Sequence, residues 1–394
     1  MTQSTPDSRK HLKSRTRLVH AGRDPTQQHG FVNTPVYRGS TVLSPTVEHL
    51  YAREGYIYGT RGTPTTQALE EAWSELAGAA GTCLVPSGLA AIVLALLTVV
   101  KSGDDILVTD SVYRPCRIFC ETILKRMGVA TRYYDPLIGA GIAQLMQTNT
   151  TVVFTEAPGS QSFEMQDIPA IAAVAHAHGA CVMMDNTWAT PLLFPPHDHG
   201  VDLAIEAGTK YLSGHSDLLL GLVSANAAWN QRLRDTFDTM AICAGPEDVF
   251  LALRGLRTME LRLREAERQA LAMAHWLKAR PEVLRVLHPA LPDDPGHAIW
   301  RRDFAGSSGL FGVVLHPASP KAVAAMLDGL QLFGMGYSWG GFESLVIPFD
   351  CATYRTATTW APGGPGLRFN IGLEDTGDLQ ADLDAGFARL RAAA

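Results

Sequence analysis

The chain predicts an α/β architecture: a mostly parallel central sheet covered by helices on both faces, an N-terminal arm ahead of it and a smaller α+β domain behind. Three observations predict it. From Thr63 onward, stretches with helical spacing alternate with short β-branched runs, the rhythm of strand-helix-strand units. Those runs are apolar throughout instead of alternating, as in strands buried on both faces. And 394 residues exceed what one hydrophobic core usually serves.

Taken in order, residues 1–62 are rich in Thr, Pro, Gly and Arg with little helical periodicity, and read as an extended arm. The second unit, 63–256, holds helical stretches at 66–76, 89–100, 116–127 and 167–178. Between them lie strand runs at 105–109, 151–155, 181–184 and 201–205. A long helical segment over 247–278, charged on one side by Arg254, Arg257, Arg262, Arg264, Glu265 and Arg268, stops at Pro281 and links to the third unit, 257–394. There, strand runs at 283–287, 309–315 and 367–371 with helices near 322–330 and 379–390 make a separate α+β domain. The sequence has no internal repeat.

Composition narrows the function. A net charge of -6 argues against a nucleic-acid surface and leaves small polar molecules as the expected substrates. The apolar run 89–100 is too short to cross a bilayer, and Thr2, Gln3, Ser4 and Thr5 lack the apolar core of a secretion signal, so no membrane partner and a cytoplasmic location are expected. Cys83, Cys116, Cys120, Cys181, Cys243 and Cys351 form no paired framework, which suits a reducing compartment. No metal site is expected: His176 with His178 and His197 with His199 lack a cysteine or carboxylate cluster to complete one.

Several residues converge on one chemistry. Lys210 stands in Ala207-Gly208-Thr209-Lys210-Tyr211, just after a strand run, where partial desolvation lowers an amine's proton affinity and lets it form a Schiff base with an aldehyde. Taken alone, it reads more readily as a surface lysine. Asp185 ends the run 181–184, at the strand edge where α/β proteins bind ligands; it suits a protonated pyridine nitrogen, and it also suits a cap of the following turn. Ser87, Gly88 and Leu89 open an apolar helix, whose free amides form an anion site suited to a cofactor phosphate, with Thr209 adding a hydroxyl. Tyr113 follows a strand and offers a ring for stacking and a phenol for proton relay, or serves the core. Arg368, flanked by Leu367 and Phe369, needs an anion: a substrate carboxylate or a structural partner such as Glu374.

These residues resemble the transsulfuration (Cys/Met metabolism) family of pyridoxal-phosphate enzymes, and within it the bacterial cystathionine β-lyase branch, over roughly residues 16–390. The most specific strings are YGTRGTPT from Tyr58, PSG from Pro86, DNTWA from Asp185, TKYLSGHSD from Thr209, YSWGGFES from Tyr337 and LRFNIGLED from Leu367. The resemblance implies the aspartate-aminotransferase-like fold type I and pyridoxal 5'-phosphate as cofactor. It assigns Lys210 to the Schiff base, Asp185 to the pyridine nitrogen, Tyr113 to ring stacking, and Arg368 with Ser338, beside Tyr337 and Trp339, to the substrate. In relatives the arm reaches the neighbouring subunit's site, so Tyr58 and Arg61 are expected there, in a homodimer assembled into a homotetramer.

Trp339 and the stretch Glu156-Ala157-Pro158-Gly159-Ser160 match the β-acting branch. The implied reaction is β-elimination of L-cystathionine to homocysteine, pyruvate and ammonia, extending to cystine and other S-substituted cysteines. The alternatives are a racemase or γ-lyase of the same family, or a catalytically silent binding protein. Three positions depart from the family pattern: Thr60 where relatives carry an arginine, with Arg61 following; Asn370 where many carry His or Ser; and Arg114 where the bacterial lyase often has an acid.

Overall fold

The computed structural model describes residues 11–52 and 54–393. Its larger sheet contains β1 (Gly81–Val85), β2 (Asp105–Thr109), β3 (Ala130–Tyr134), β4 (Thr150–Glu156), β5 (Cys181–Asp185), β6 (Leu203–Ala207) and β7 (Gly221–Ala225), in the spatial order β1-β7-β6-β5-β4-β2-β3. β7 runs against both of its neighbours, β1 and β6. The β6-β5-β4-β2-β3 pairs are parallel.

Successive residues of each strand face opposite layers, and both layers are apolar. Val108, Phe154, Met183 and Ile205 pack with Ile92 and Leu96 of helix Gly88–Val99. Leu107, Val153, Val182 and Ala204 pack with Ile168 and Ile171 of helix Ile168–Ala177. The carboxyl ends of the parallel strands therefore share one rim with the turn before helix Gly88–Val99.

A second, antiparallel sheet contains β8 (Val283–Leu287), β9 (Leu310–Leu315), β10 (Leu345–Phe349) and β11 (Gly366–Asn370), ordered β10-β11-β9-β8. It buries Phe311, Val313, Val346, Leu367 and Phe369 with residues of helices Met259–Lys278, Pro320–Leu327 and Thr376–Ala392.

Four differences from the sequence reading have physical causes. The segment 247–278 is two helices, Pro246–Leu256 and Met259–Lys278, because Thr258 leaves the helical region. At that break Arg262 donates to the carbonyls of Gly255 (2.8 Å), Tyr211 (2.8 Å) and Leu212 (3.2 Å), so the interruption also braces the chain just after Lys210. The stretch 116–127 stays helical but widens, after helix Arg114–Phe119, into a π-turn over Cys120–Leu124. The arm is not wholly extended, since it contains helices Ser14–His20 and Val47–Ala52. β1, β3, β7 and β10 escaped the apolar-run pattern; β10 carries Pro348, which an edge strand accommodates with its ring to solvent.

Among the described residues no helix is long and apolar enough to cross a membrane. All six cysteines are free thiols, five of them buried and Cys243 partly so.

Candidate active site

The rim of the large sheet gathers the polar residues singled out above. Lys210 follows the end of β6 and its Nζ donates to Ser338 Oγ at 2.6 Å. The indole of Trp339 lies beside it, with Nζ 5.2 Å from the ring centroid. Burial and the nearby Arg368 guanidinium lower the Lys210 pKa to about 8, against the opposing pull of Asp185. Ser338 holds φ at 96°, a conformation costly for a non-glycine residue and the kind that collects at functional sites. Next to it, a Cβ on Gly340 would meet the Lys210 carbonyl carbon at 3.1 Å, so glycine lets this loop lie against the lysine backbone.

Asp185 ends β5. Thr187 donates to its Oδ1 twice, from Oγ1 at 2.5 Å and from the backbone N–H at 3.1 Å, while the same hydroxyl accepts from Ala207 N at 2.9 Å. Burial raises the Asp185 pKa despite these donors. Oδ2 has no donor among the described residues, which leaves one acceptor oxygen for a protonated ring nitrogen.

Directly in register on β4 stands Glu156. Its carboxylate accepts the Tyr113 N–H at 2.7 Å, and burial together with Asp185 raises its pKa well above the ordinary range. Sequence reasoning gave Glu156 only as the start of a loop; an acidic strand end beside another acidic strand end was the available signal. Tyr113 is 42% exposed, so its side chain is accessible at the rim. Burial raises the Tyr113 phenol pKa, and Asp185 adds to it.

Arg368 lies on β11, 9% exposed, and donates from Nη2 to the Ser338 carbonyl at 3.1 Å. Glu374 is not its partner, because that carboxylate is taken by the Ser344 backbone and hydroxyl, both at 2.8 Å. No acid pairs with Arg368 among the described residues, and burial lowers its pKa to about 10. A buried guanidinium without a counter-ion suits a carboxylate ligand. Tyr337 stands at the mouth, 89% exposed. Asn370 accepts the Gly340 N–H at 3.0 Å, a supporting contact to the loop carrying Ser338 and Trp339.

Ser87 caps helix Gly88–Val99 by accepting from Ala90 N at 3.1 Å, and the Gly88 and Leu89 amides remain at the helix start. A Cβ on Gly88 would meet that of Ala207 at 2.7 Å, so the helix start packs close to the end of β6. The Thr209 hydroxyl is engaged with Leu220, accepting its N–H at 3.0 Å.

Two expected residues lie elsewhere in the single chain. Tyr58 lines a cavity of about 420 Å³ with Arg38, Ser40, Thr60, Cys243 and Pro246. Arg61 pairs with Asp238 at 2.9 Å. A groove of about 750 Å³ over the small sheet, lined by Val323, Leu327, Met335, Phe349 and Trp360, has Asp328 and Asp350 as its ionisable groups among the described residues, with no lysine among them. Arg114 lies outside the cleft contacts, its guanidinium 5.6 Å from the Tyr354 ring centroid.

A half-buried lysine with depressed proton affinity, a half-buried acid with one open oxygen, an accessible tyrosine, a helix start and an arginine unpaired among the described residues define a pyridoxal-phosphate enzyme acting on amino acids. The chain belongs to the Cys/Met metabolism PLP-dependent enzyme family, whose profile matches residues 15–388. It is 56% identical to a putative cystathionine β-lyase of Rhizobium johnstonii, over 95% of each chain. It is 45% identical to the cystathionine β-lyase of Salmonella typhimurium, over 95% of this chain and 98% of that one. The fold matches the crystal structure of cystathionine γ-synthase from Xanthomonas oryzae pv. oryzae in complex with aminoacrylate and cysteine, at a TM-score of 0.89, 32% identity and full coverage of both chains.

Proposed function

We propose that the protein cleaves the Cβ–S bond of L-cystathionine by β-elimination, giving homocysteine, pyruvate and ammonia. Lys210 Nζ, held on Ser338 at 2.6 Å between Asp185 and Arg368, carries the reading. Pyridoxal phosphate, when bound, supplies the electron sink that acidifies the α-carbon of an amino acid. Lys210 would hold its aldehyde carbon, Asp185 Oδ2 its ring nitrogen, Tyr113 its face, and Ser87, Gly88, Leu89 and Thr209 its phosphate.

Arg368 receives the substrate α-carboxylate, with Ser338 alongside. That would place the α-carbon near the Lys210 amine, which the substrate's own amine frees by taking its place on the aldehyde carbon; a lysine whose burial lowers its proton affinity can then remove the α-proton. As the C–S electrons leave with sulfur, Lys210 returns a proton to the departing thiolate. Water then converts the remaining enamine to pyruvate and ammonia. Trp339, with its ring centroid 5.2 Å from the lysine Nζ, supports the β-acting reading because it matches that branch of the family.

The proposal includes a homodimer, with Tyr58 of each arm serving the other subunit's site and two such dimers forming a tetramer. Support comes from the arm's exposed apolar side chains, Phe31 at 70%, Leu43 at 88% and Tyr51 at 78%. It also includes the division into an arm, a cofactor-binding domain and a C-terminal domain. Arg61, paired through Nη1 with Asp238 in the single chain, would add to the phosphate contact of the helix start in the dimer.

The test is to present purified protein with L-cystathionine, L-cystine, L-methionine and L-alanine, reading pyruvate, 2-oxobutyrate, free thiol and optical rotation. Pyruvate with thiol from cystathionine is expected, and Lys210→Ala is expected to lose at least about 10³-fold in kcat. Release of 2-oxobutyrate instead, or undiminished pyruvate release by Lys210→Ala, refutes the proposal.

A further inference from the structure

The loop that carries Tyr113 contains a buried cluster with no part in the chemistry above. Asp110 is 0% exposed, and its carboxylate collects donors from a segment 246 residues further along the chain. Thr356 N reaches Oδ1 at 3.1 Å; Ala357 N, Thr358 N and Thr358 Oγ1 reach Oδ2 at 3.0, 2.8 and 2.8 Å. Arg117, 2% exposed, closes the cluster from below. Its Nη2 donates to Asp110 Oδ1 at 2.5 Å and its Nη1 to Thr356 Oγ1 at 3.4 Å, with the guanidinium carbon 3.5 Å from the Tyr133 ring centroid.

The same distant segment is pinned again one residue earlier. Arg355 donates to Glu164 at 2.7 and 2.6 Å and to Ser162 Oγ at 2.6 Å. Ser162 and Glu164 lie on the loop that begins at Glu156, the residue holding the Tyr113 N–H. That loop also touches the Tyr113 loop, since Ser160 N donates to Ser111 O at 3.0 Å. Residues 110–113, 156–164 and 351–360 thus form a three-way joint with Tyr113 at its open end.

A buried ion pair adds little net stability, whereas one carboxylate shared by a guanidinium, three amides and a hydroxyl fixes geometry. Burial pushes the Asp110 carboxyl up, but the donors from Thr356, Thr358 and Arg117 outweigh it and hold it below the ordinary carboxylate range. It is therefore ionised at neutral pH. We infer that Asp110 is a positioning residue for Tyr113: by tying the tyrosine's loop to residues 356–358, it fixes where the phenol ring stands over the Lys210 cleft. The inference rests on the reading of Tyr113 as the ring that covers the cofactor.

Asp110→Asn keeps the side-chain volume and removes the charge. It is compared with the unaltered chain, with Tyr113→Ala and with the double variant, by kcat and KM for L-cystathionine, by the cofactor dissociation constant from absorbance titration of apoprotein, and by thermal unfolding. Asp110→Asn is expected to lower kcat on the order of tenfold and to weaken cofactor binding about threefold. Both effects are expected to shrink to within about twofold once Tyr113 is Ala, because a ring that is absent cannot be misplaced.

Lower thermal stability with kcat and cofactor affinity unchanged overturns the inference. So does an undiminished effect of Asp110→Asn in the Tyr113→Ala background. Should Asp110→Asn fail to fold, Thr358→Val removes one donor and runs the same cycle. If the unaltered chain releases no pyruvate, the proposed reaction fails, and the cofactor-affinity cycle still decides the role of Asp110.

Discussion

Lys210 illustrates how surroundings convert an ordinary amine into a reactive one. Burial penalises its ammonium and Arg368 adds like-charge repulsion, while Asp185 opposes both; the balance is a pKa of about 8 instead of 10.5. Between those two values the unfolded chain holds this proton and the folded chain does not. The contribution to stability is therefore complete above pH 10.5 and is lost as pH falls through about 8. In apoprotein, the rate of Schiff-base absorbance gain with pyridoxal phosphate should rise with a midpoint near pH 8. Arg368→Ala should move that midpoint upward, since removing a neighbouring cation favours the ammonium. A midpoint that stays put in Arg368→Ala would show that Arg368 does not tune Lys210. At this scale much was legible: Lys210, Asp185 and Ser87 each sit at the edge of an apolar run, which marks the rim of a sheet, and Arg368 stands out as a cation inside one. Glu156 and Asp110 were not, because their contacts are to partners 43 and 246 residues away that no local pattern reveals.

Among the elements, β7 and the helix start are coupled through one glycine. A Cβ on Gly221 would meet the Ser87 carbonyl oxygen at 2.1 Å, and backbone cannot yield as a side chain does. Gly221→Ala should push Ser87, Gly88 and Leu89 out of line. It is expected to weaken cofactor binding on the order of tenfold, with a stability loss of about 1–3 kcal/mol, measured by apoprotein titration and denaturant unfolding. An unchanged dissociation constant would separate the helix start from the phosphate site. The elements that sequence reasoning found are those with long apolar runs or clear helical spacing, such as β4, β5, β6 and helix Gly88–Val99. Those it missed have weaker local signals. β1 and β7 each open on a glycine, β3 is a half-exposed edge strand, and β10 carries a proline. The break at Thr258 escaped because Arg262, which caps the first helix and braces Tyr211, has the same charge as its neighbours and differs only in where it reaches.

At the scale of the whole molecule, the arm's exposed Phe31, Leu43 and Tyr51 need cover, and the proposed dimer supplies it. If each site borrows Tyr58 from its partner, two inactive variants should complement. Lys210→Ala mixed with Tyr58→Ala, after dissociation and reassociation, should recover about a quarter of unaltered activity, because half the dimers are mixed and each mixed dimer has one intact site. No recovery, with mixed dimers demonstrated by differential tagging, would place each Tyr58 in service of its own chain.

The reversed direction of β7 bears on how Lys210 moves. Every parallel neighbour in the sheet leaves its rim by a crossover, but the chain after β6 turns back beside itself, with Ala207 paired to Gly221. The lysine therefore rides on a short closed return whose ends are fixed one strand apart. Bonds inside it tighten it further: Lys210 N to Ala207 O at 3.0 Å, Ser213 N to Gly208 O at 3.0 Å and Gly214 N to Lys210 O at 2.8 Å. With the backbone so tethered, the amine has rotation about its own carbon chain as its means of travel, and the slower excursions of a free loop are not required of it.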